Sequence, residues 1–374
     1  IEVDDLNSAY RSLGGVLFDF DRTTLVSFPA GETGAYSIPD GVTGIGESAF
    51  ADCRGLTSIS IPDSVTGIGS RAFQLCTGLT SVSIPDSVPE IASRVFHGCA
   101  GLTSVSIGRG VTSISRYAFA YCAGLTTIEV DALNSAYSSV DGVLFDHDRT
   151  TLILFPKSKT GDYPIPASVT DIDDDAFSGC TGLTSVSIGR DVTFISHNAF
   201  SGCTGLTSIT IPDSVTDIGR SAFGRCSGLT SVSFGHRVKD IYEDAFSGCT
   251  GLTSITIPDS VTFIDDDAFS GCTGLTSVSI GRGVEFLGDS VFAGCTGLTS
   301  ISIPDSVPEI GRRVFQRCTS LTSVSIGSGV TSISLDAFGI CSSLTAIEVD
   351  ALNSAYSSLD GVLFDGNDNS RTAQ

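Results

Sequence analysis

The apolar and polar positions of this chain recur with a period of 23 residues. One unit, residues 206–226, reads LTSITIPDSVTDIGRSAFGRC, and in it Ile209 and Ile211 alternate with the hydroxyl side chains of Ser208 and Thr210. An alternation with a period of two predicts a β-strand with one buried face. The following proline ends the strand, a Val and an Ile then point inward along a return path, and the Ala-Phe pair predicts one short helical or 3₁₀ turn.

Cysteine and phenylalanine mark the same period. The twelve cysteines are 23 residues apart except for one step of 58 residues between Cys122 and Cys180, and a phenylalanine stands three positions before each cysteine. A single unit cannot bury its apolar side chains alone, so stacked coils must supply the core. The sequence therefore predicts one solenoid over residues 1–374.

The cysteines are expected to be free thiols. Equivalent side chains on coils about 4.8 Å apart keep their Cβ atoms near that separation, which is longer than the roughly 3.8 Å that a disulfide prefers. We expect a ladder of buried thiols that pack as small apolar groups. Structural zinc sites gather CxxC-type pairs, and the sequence contains none, so no metal is expected at the cysteines.

The pattern LTSIxIPxSVTxIGxxAFxxC resembles the BspA-like leucine-rich-repeat family over nearly the whole chain. The resemblance implies an α/β-type repeat solenoid that is mainly β: a right-handed leucine-rich-repeat solenoid with a parallel β-sheet on its concave face and few short helical or 3₁₀ turns on its convex face. It also implies a bacterial or protist surface protein, extracellular or on the cell surface, associated with adhesion. It carries over no ligand and no functional residue, because the motif is itself structural.

Three insertions, which we call islands, interrupt the repeat at about residues 1–35, 128–162 and 347–374. In the second, VLFD, a polar turn and TTLILFP predict a β-hairpin. The islands concentrate surface aromatics and are the preferred contact region, although their hairpins could instead pack onto the adjoining coil. The candidate residues are Tyr10, Tyr137, Tyr163 and Tyr356. Because the chain opens in one island and ends in another, we expect a fragment of a longer protein, with bare ends that could stack on other molecules.

Two further surfaces are candidates for partner binding. The outward strand face offers hydroxyl rows, alternatively a solubilising surface: Ser208, Thr210, Ser254 and Thr256. The residue before the inward Ile or Leu of the return path is small or acidic in most units but aromatic in three: Phe194, Phe263 and Phe286. These aromatic residues indicate a contact patch, alternatively rings that pack sideways against their neighbours.

Acidic residues cluster at the start of the Ala-Phe turn on neighbouring coils. They are weak candidates for loose calcium binding, alternatively solvated charges: Glu243, Asp244, Asp265, Asp266 and Asp267. Along another row, Asp of one coil alternates with Arg or His of the next, as at Asp259 and Arg282, which predicts ion pairs that fix the register of the coils.

Charge and composition narrow the function. Forty-two acidic against twenty basic residues give a formal charge of −22, which disfavours nucleic acid as a partner. The apolar runs are far shorter than the roughly 20 residues of a membrane span, so no membrane insertion is expected. The four histidines lack HExxH spacing, and no Walker motif occurs. The sequence thus predicts a non-enzymatic binding or adhesion module for protein or glycan partners, without a cofactor; the alternative is a structural repeat that assembles end to end into filaments or a surface layer.

Overall fold

The computed structural model describes residues 1–365. The chain divides into two compact units, Ile1–Lys159 and Thr160–Gln374. The boundary falls near the end of the second island. Both are built from short β-strands joined by turns.

The strands of the first unit are β1 (Tyr10–Leu13), β2 (Val16–Asp19), β3 (Thr24–Ser27), β4 (Gly34–Ser37), β5 (Gly44–Ile45), β6 (Leu56–Ser60), β7 (Gly67–Ile68), β8 (Ser81–Ile84), β9 (Glu90–Ile91), β10 (Ser104–Ile107), β11 (Ser113–Ile114), β12 (Thr127–Val130), β13 (Tyr137–Val140), β14 (Val143–Asp146) and β15 (Thr151–Leu154). Those of the second unit are β16 (Gly161–Pro164), β17 (Asp171–Ile172), β18 (Leu183–Ser187), β19 (Phe194–Ile195), β20 (Ser208–Thr210), β21 (Asp217–Ile218), β22 (Ser231–Ser233), β23 (Asp240–Ile241), β24 (Ser254–Thr256), β25 (Phe263–Ile264), β26 (Ser277–Ser279), β27 (Phe286–Leu287), β28 (Ser300–Ile303), β29 (Glu309–Ile310), β30 (Ser323–Ile326), β31 (Ser332–Ile333), β32 (Ala346–Val349), β33 (Tyr356–Leu359) and β34 (Val362–Asp365).

Most coils contribute one longer strand and one short return strand. These strands pair in parallel with their equivalents on adjacent coils, in several separate short sheets. Ile209 of β20 lies opposite Val232 of β22, and Ile218 of β21 lies opposite Ile241 of β23. Because both offsets are 23 residues, every position faces its own equivalent. The predicted stack of 23-residue coils with parallel strands is confirmed.

The predicted helical turns are not found: within residues 1–365 the Ala-Phe segment forms hydrogen-bonded turns, and no α- or 3₁₀-helix is present. The backbone alternates between local bonds and bonds to the next coil. Ala222 N donates to Gly219 O at 3.1 Å, whereas Phe223 N donates to Ala245 O at 2.8 Å. Ser221 has a left-handed backbone with φ of 52°. A helix cannot propagate when every second N–H leaves the segment and left-handed residues interrupt it.

Phenylalanine rings stack along the interior of each unit. The Phe223 ring lies 5.2 Å from those of Phe200 and Phe246, with planes inclined by 1° and 8°. All three side chains are fully buried. The stack follows from the register, because identical side chains on adjacent coils repeat at a spacing that suits offset ring packing.

The cysteines are free, and all are buried except Cys341, which is half-buried. This confirms the prediction of unpaired thiols but adds a contact that the sequence did not reveal. Cys226 Sγ donates to Phe200 O of the preceding coil at 3.1 Å, and burial raises the pKa of Cys226 to about 12. Each thiol is therefore both a core side chain and a hydrogen-bond donor between coils.

Aspartates after the strands also connect adjacent coils. Asp86 forms the predicted kind of ion pair with Arg109, at 2.8 Å, but the aspartates also bind the backbone of the next coil. Asp259 Oδ1 accepts a hydrogen bond from the backbone N of Arg282 at 2.8 Å. Asp305 Oδ1 accepts one from Ser328 N at 2.7 Å, where the next coil has no basic side chain. The register is thus fixed by carboxylate-to-backbone bonds, which do not need the alternating charge.

The islands extend the short sheets with antiparallel strands. In the second, β14 pairs with β13 and β15, and Asp146 closes the β14–β15 turn by accepting from Thr150 N at 2.7 Å. The predicted hairpin is present, and β13 was not predicted. In the third, β33 pairs with β34. Residues 366–374 of this island lie outside the described residues.

Candidate functional site

The island tyrosines do not gather into one surface. The hydroxyl of Tyr137 accepts a hydrogen bond from Ile114 N at 3.0 Å, and that of Tyr356 accepts one from Ile333 N at 3.1 Å. Each tyrosine hydroxyl therefore serves as the hydrogen-bond acceptor for a backbone N–H of the preceding return strand. Tyr163 is half-buried, while Tyr10 remains 44% exposed. Tyr137 and Tyr356 pack on the adjoining coil, which was the alternative interpretation of the islands.

The strand face carries rows of exposed hydroxyls, including Ser208, Thr210, Ser254 and Thr256. Beside it, where the strands run into an island, each unit has a polar groove. The groove of the second unit, of about 720 Å³, is lined by Ser302, Asp305, Ser325 and Glu348 among others. Its counterpart in the first unit, of about 410 Å³, is lined by Ser83, Asp86, Ser106 and Glu129 among others. Such grooves lack the exposed aromatic anchors that dominate tight protein interfaces.

Phe263, which is half-buried, and Phe286, which is exposed, form an aromatic pair. Their strands are paired in register, and their rings stack at 4.7 Å with planes 10° apart. Phe286 is 47% exposed, and its position is taken in the next coil by Glu309, also exposed. Phe194 lies elsewhere, with its ring 5.7 Å from His197 and perpendicular to it. The structure thus brings together two of the three predicted phenylalanines.

A cavity of about 270 Å³ adjoins the Phe286 ring, and we call it the Phe286 pocket. Its lining includes Glu285, Glu309 and Asp266. Within the described residues neither Glu285 nor Glu309 forms an ion pair. An aromatic face attracts cations through its quadrupole, and carboxylates at the rim strengthen that attraction. The pocket therefore has the chemistry to hold a cationic group.

Three of the five acidic residues proposed as weak calcium ligands are engaged in other contacts. Asp265 Oδ1 accepts from Asp266 N at 2.9 Å, and Asp266 Oδ1 accepts from Asp289 N at 2.7 Å. Glu243 pairs with Arg220. Within residues 1–365 no three His, Cys, Asp or Glu side chains gather closely enough to hold a metal ion.

Crowding of these carboxylates still affects their protonation. Burial raises the pKa of Asp267, and the neighbouring charges of Asp244, Asp266 and Glu243 raise it further. Like charges disfavour the ionised form of each neighbour. The cluster is therefore a source of charge repulsion between neighbouring coils.

One exposed aromatic group was missed by sequence reasoning. Tyr121 is 69% exposed and Tyr117 44%. The Tyr121 ring lies 5.0 Å from the ring of His97, and the Nζ atom of Lys157 is 5.3 Å from its centre. The available signal was the tyrosine directly before Cys122, where six coils carry glycine at that position.

Comparisons with known proteins agree with this architecture. A family model described as BspA type Leucine rich repeat region (6 copies) matches residues 28–145, 154–276 and 271–367. A solved leucine-rich repeat protein from Eubacterium ventriosum is 27% identical with a TM-score of 0.65, over 82% of this chain and 76% of that one. A leucine rich cell surface protein from Faecalibacterium prausnitzii is 28% identical with a TM-score of 0.56, over 93% and 96% of the two chains.

The pneumococcal vaccine antigen PcpA, 17% identical with a TM-score of 0.55 over 92% of this chain and 94% of that one, shares the fold. No curated protein matches the sequence. No helix within residues 1–365 is long and apolar enough to cross a bilayer. The family model covers most of the repeats that the structure stacks. The chain belongs to the BspA-type leucine-rich repeat family.

Proposed function

We propose that this chain is a non-catalytic binding module, displayed on a cell surface or secreted, that holds protein partners through cationic side chains bound in the Phe286 pocket. The observation that carries the proposal is the stacked pair Phe263–Phe286, half exposed at Phe286, beside the carboxylates Glu285 and Glu309. An exposed aromatic ring at the rim of a cavity is typical of a contact site.

Electrostatics support a cationic partner. The formal charge of −22 attracts basic surfaces and speeds their encounter. At the pocket, a lysine or arginine group would contact the Phe286 ring and pair with Glu309. Each contact is modest in energy, so affinity would come from several coils acting together. The surface location is supported by the family and by the cell surface relative from Faecalibacterium prausnitzii.

The test is binding of fluorescent peptides rich in lysine or arginine, measured by anisotropy, with neutral peptides and glycans in the same panel. Phe286→Ser removes the ring and places the residue found at the equivalent Ser332. It is expected to weaken cationic peptide binding roughly two- to fivefold, the range of one exposed cation–π contact. Phe194→Ser is the matched control, because it removes a ring from the same repeat position in another coil, and it should leave affinity unchanged.

Salt provides a second criterion. Added salt should weaken binding, because rim carboxylates on the surface are screened within about 10 Å at 0.1 M. Equal affinity of the Phe286→Ser variant and the original chain would refute this site. Preference for neutral glycans, unaffected by salt, would refute the cationic partner class.

A further inference from the structure

Three adjacent turns of the first unit carry basic instead of acidic side chains, and we call them the basic turn surface. Each contains one arginine and neither aspartate nor glutamate: residues 70–75, 93–98 and 116–121. Backbone hydrogen bonds join the turns, for example from Phe96 N to Ala118 O at 2.9 Å. Arg71 pairs with Glu47 at 3.1 Å. On a chain with a formal charge of −22, the other two turns form a region of locally opposite charge.

Two cations of the basic turn surface are available to a ligand. Arg94 is exposed and Lys157, from the second island, is half-buried. Within residues 1–365 neither forms an ion pair. The backbone beside Lys157 is held in place because Ser158 N donates to Leu125 O at 2.8 Å. A cation on a fixed backbone loses less conformational freedom when a ligand binds.

Tyr121 is an exposed ring whose backbone conformation is costly. Its side chain is 69% exposed, and its φ is 61°. Six coils carry glycine at this position, the residue type that adopts such a conformation most easily, and Tyr121 is the one aromatic residue among the twelve. Bulky residues with positive φ are uncommon, and strained residues concentrate at functional sites. Burial of the ring does not offset the cost, so a role in binding is the better explanation of the tyrosine.

Each exposed ring of this surface has a cation beside it. The Nζ atom of Lys157 lies 5.3 Å from the centre of the Tyr121 ring. The Cζ atom of Arg116 lies 5.5 Å from the centre of the Tyr117 ring, which is 44% exposed. The negative face of an aromatic ring attracts the polarised C–H groups on the face of a sugar ring, and lysine and arginine bind carboxylates. Rings and cations side by side therefore fit a sugar that carries a carboxylate.

We propose that the basic turn surface binds a carboxylated glycan. Sugar rings pack on Tyr117 and Tyr121, and carboxylate groups pair with Arg94 and Lys157. The charge of the whole chain favours this ligand over a nucleic acid, because −22 repels a polyanion with a phosphate at every nucleotide more than a glycan with carboxylates on only some of its sugars. The site is separate from the Phe286 pocket, which attracts cations and belongs to the second unit.

The test is isothermal titration calorimetry of the full chain with two carboxylated glycans from different sources. These are a hyaluronan octasaccharide, which carries uronate groups, and sialyllactose, which carries a sialate. A chitin oligosaccharide, a poly-glutamate peptide and an oligothymidylate represent a neutral glycan, an acidic peptide and a nucleic acid. At least one carboxylated glycan should bind with a Kd below about 1 mM, and the other three probes more weakly.

Single substitutions locate the binding. Tyr121→Gly should weaken it roughly two- to tenfold, the range of one aromatic contact, without lowering the urea midpoint, because glycine relieves the positive φ. Arg225→Gly is the matched control, since it replaces a residue with φ of 60° at the same repeat position and also removes a positive charge. It should leave affinity unchanged. Lys157→Gln should weaken binding by up to about fivefold, the range of one exposed ion pair.

Several results would overturn the inference. Neither carboxylated glycan binding at about 1 mM would exclude the ligand class. Equal affinity for the chitin oligosaccharide would show that the carboxylate is not recognised. Equal affinity for poly-glutamate or for oligothymidylate would show that the sugar ring is not recognised. Unchanged affinity of the Tyr121→Gly variant would place the binding at another surface.

Discussion

The stacked phenylalanines make a quantitative prediction about neighbour coupling. Phe223 contacts two rings, at 5.2 Å on each side, whereas Phe338 at the end of the stack contacts the ring of Phe315 at 5.6 Å. A stacked pair contributes about 0.5–1.5 kcal/mol beyond the burial of its area. Phe223→Leu keeps most of the apolar volume but removes both ring contacts, so its ring-dependent loss should be about 1–3 kcal/mol. Phe338→Leu should lose about half as much.

The assay is urea unfolding of the full chain followed by circular dichroism, with hydrogen exchange resolved coil by coil. Local exchange is needed because long repeat arrays depart from two-state unfolding. Phe223→Leu should accelerate exchange in its own coil and in both neighbours, and Phe338→Leu chiefly in its own and one neighbour. Equal losses at the two positions, or a loss confined to the substituted coil at Phe223, would refute the coupling argument.

Three further predictions concern single positions in the repeat. Asp259→Ala should lower the free energy of unfolding by about 1 kcal/mol, because Arg282 N loses its acceptor. Asp259→Asn should lower it less, and the urea unfolding midpoints of the two variants test this order. Arg225→Gly should raise stability by up to about 1 kcal/mol, because Arg225 has φ of 60° and several coils carry glycine there; an unchanged midpoint would contradict the strain argument. Burial and the adjacent Asp217 raise the pKa of Asp240. The contribution of Asp240 to the stability of the fold is therefore present at low pH and is lost as pH rises through that pKa. Asp240→Asn should therefore stabilise the chain at pH 7, by less than about 1 kcal/mol because the Asp217–Asp240 pair is only partly buried. A pH titration of stability that is identical in the variant would contradict this.

The repeat itself was predictable because its spacing can be read directly along the sequence. A spacing of 23 residues fixes which side chains coincide on adjacent coils, so the parallel strands, the buried Cys226 and the stacked Phe223 follow from the sequence. The turn conformation did not follow. Ala222 and Phe223 have no local feature that opposes a helix, and the alternative arises from backbone bonds to the next coil, such as that to Ala245. Contacts between coils decided the local structure, which propensity within one coil cannot report.

The candidate site was predictable only in part. The replacement of a polar residue by Phe263 and Phe286 in adjacent coils indicated a contact patch, and the rings do stack at a partly exposed surface. For the island tyrosines, aromatic residues at a predicted surface also indicated a contact region, but Tyr137 and Tyr356 pack on the adjoining coil. Tyr137 is aromatic because its hydroxyl accepts the Ile114 N–H. Sequence alone does not distinguish a ring kept for binding from one whose polar end completes a backbone ladder.

The position of the Phe286 pocket also has a structural reason. The register of the coils depends on the buried thiols, on the stacked rings and on carboxylates such as Asp259, and changes there would weaken two interfaces at once. The residue before the inward aliphatic side chain of the return path does not contribute to these contacts between coils. Its identity accordingly varies at positions 217, 240, 263, 286, 309 and 332, which are Asp, Asp, Phe, Phe, Glu and Ser. A solenoid can vary this row without loss of stacking. A binding surface is therefore expected along it, as at the Phe286 pocket.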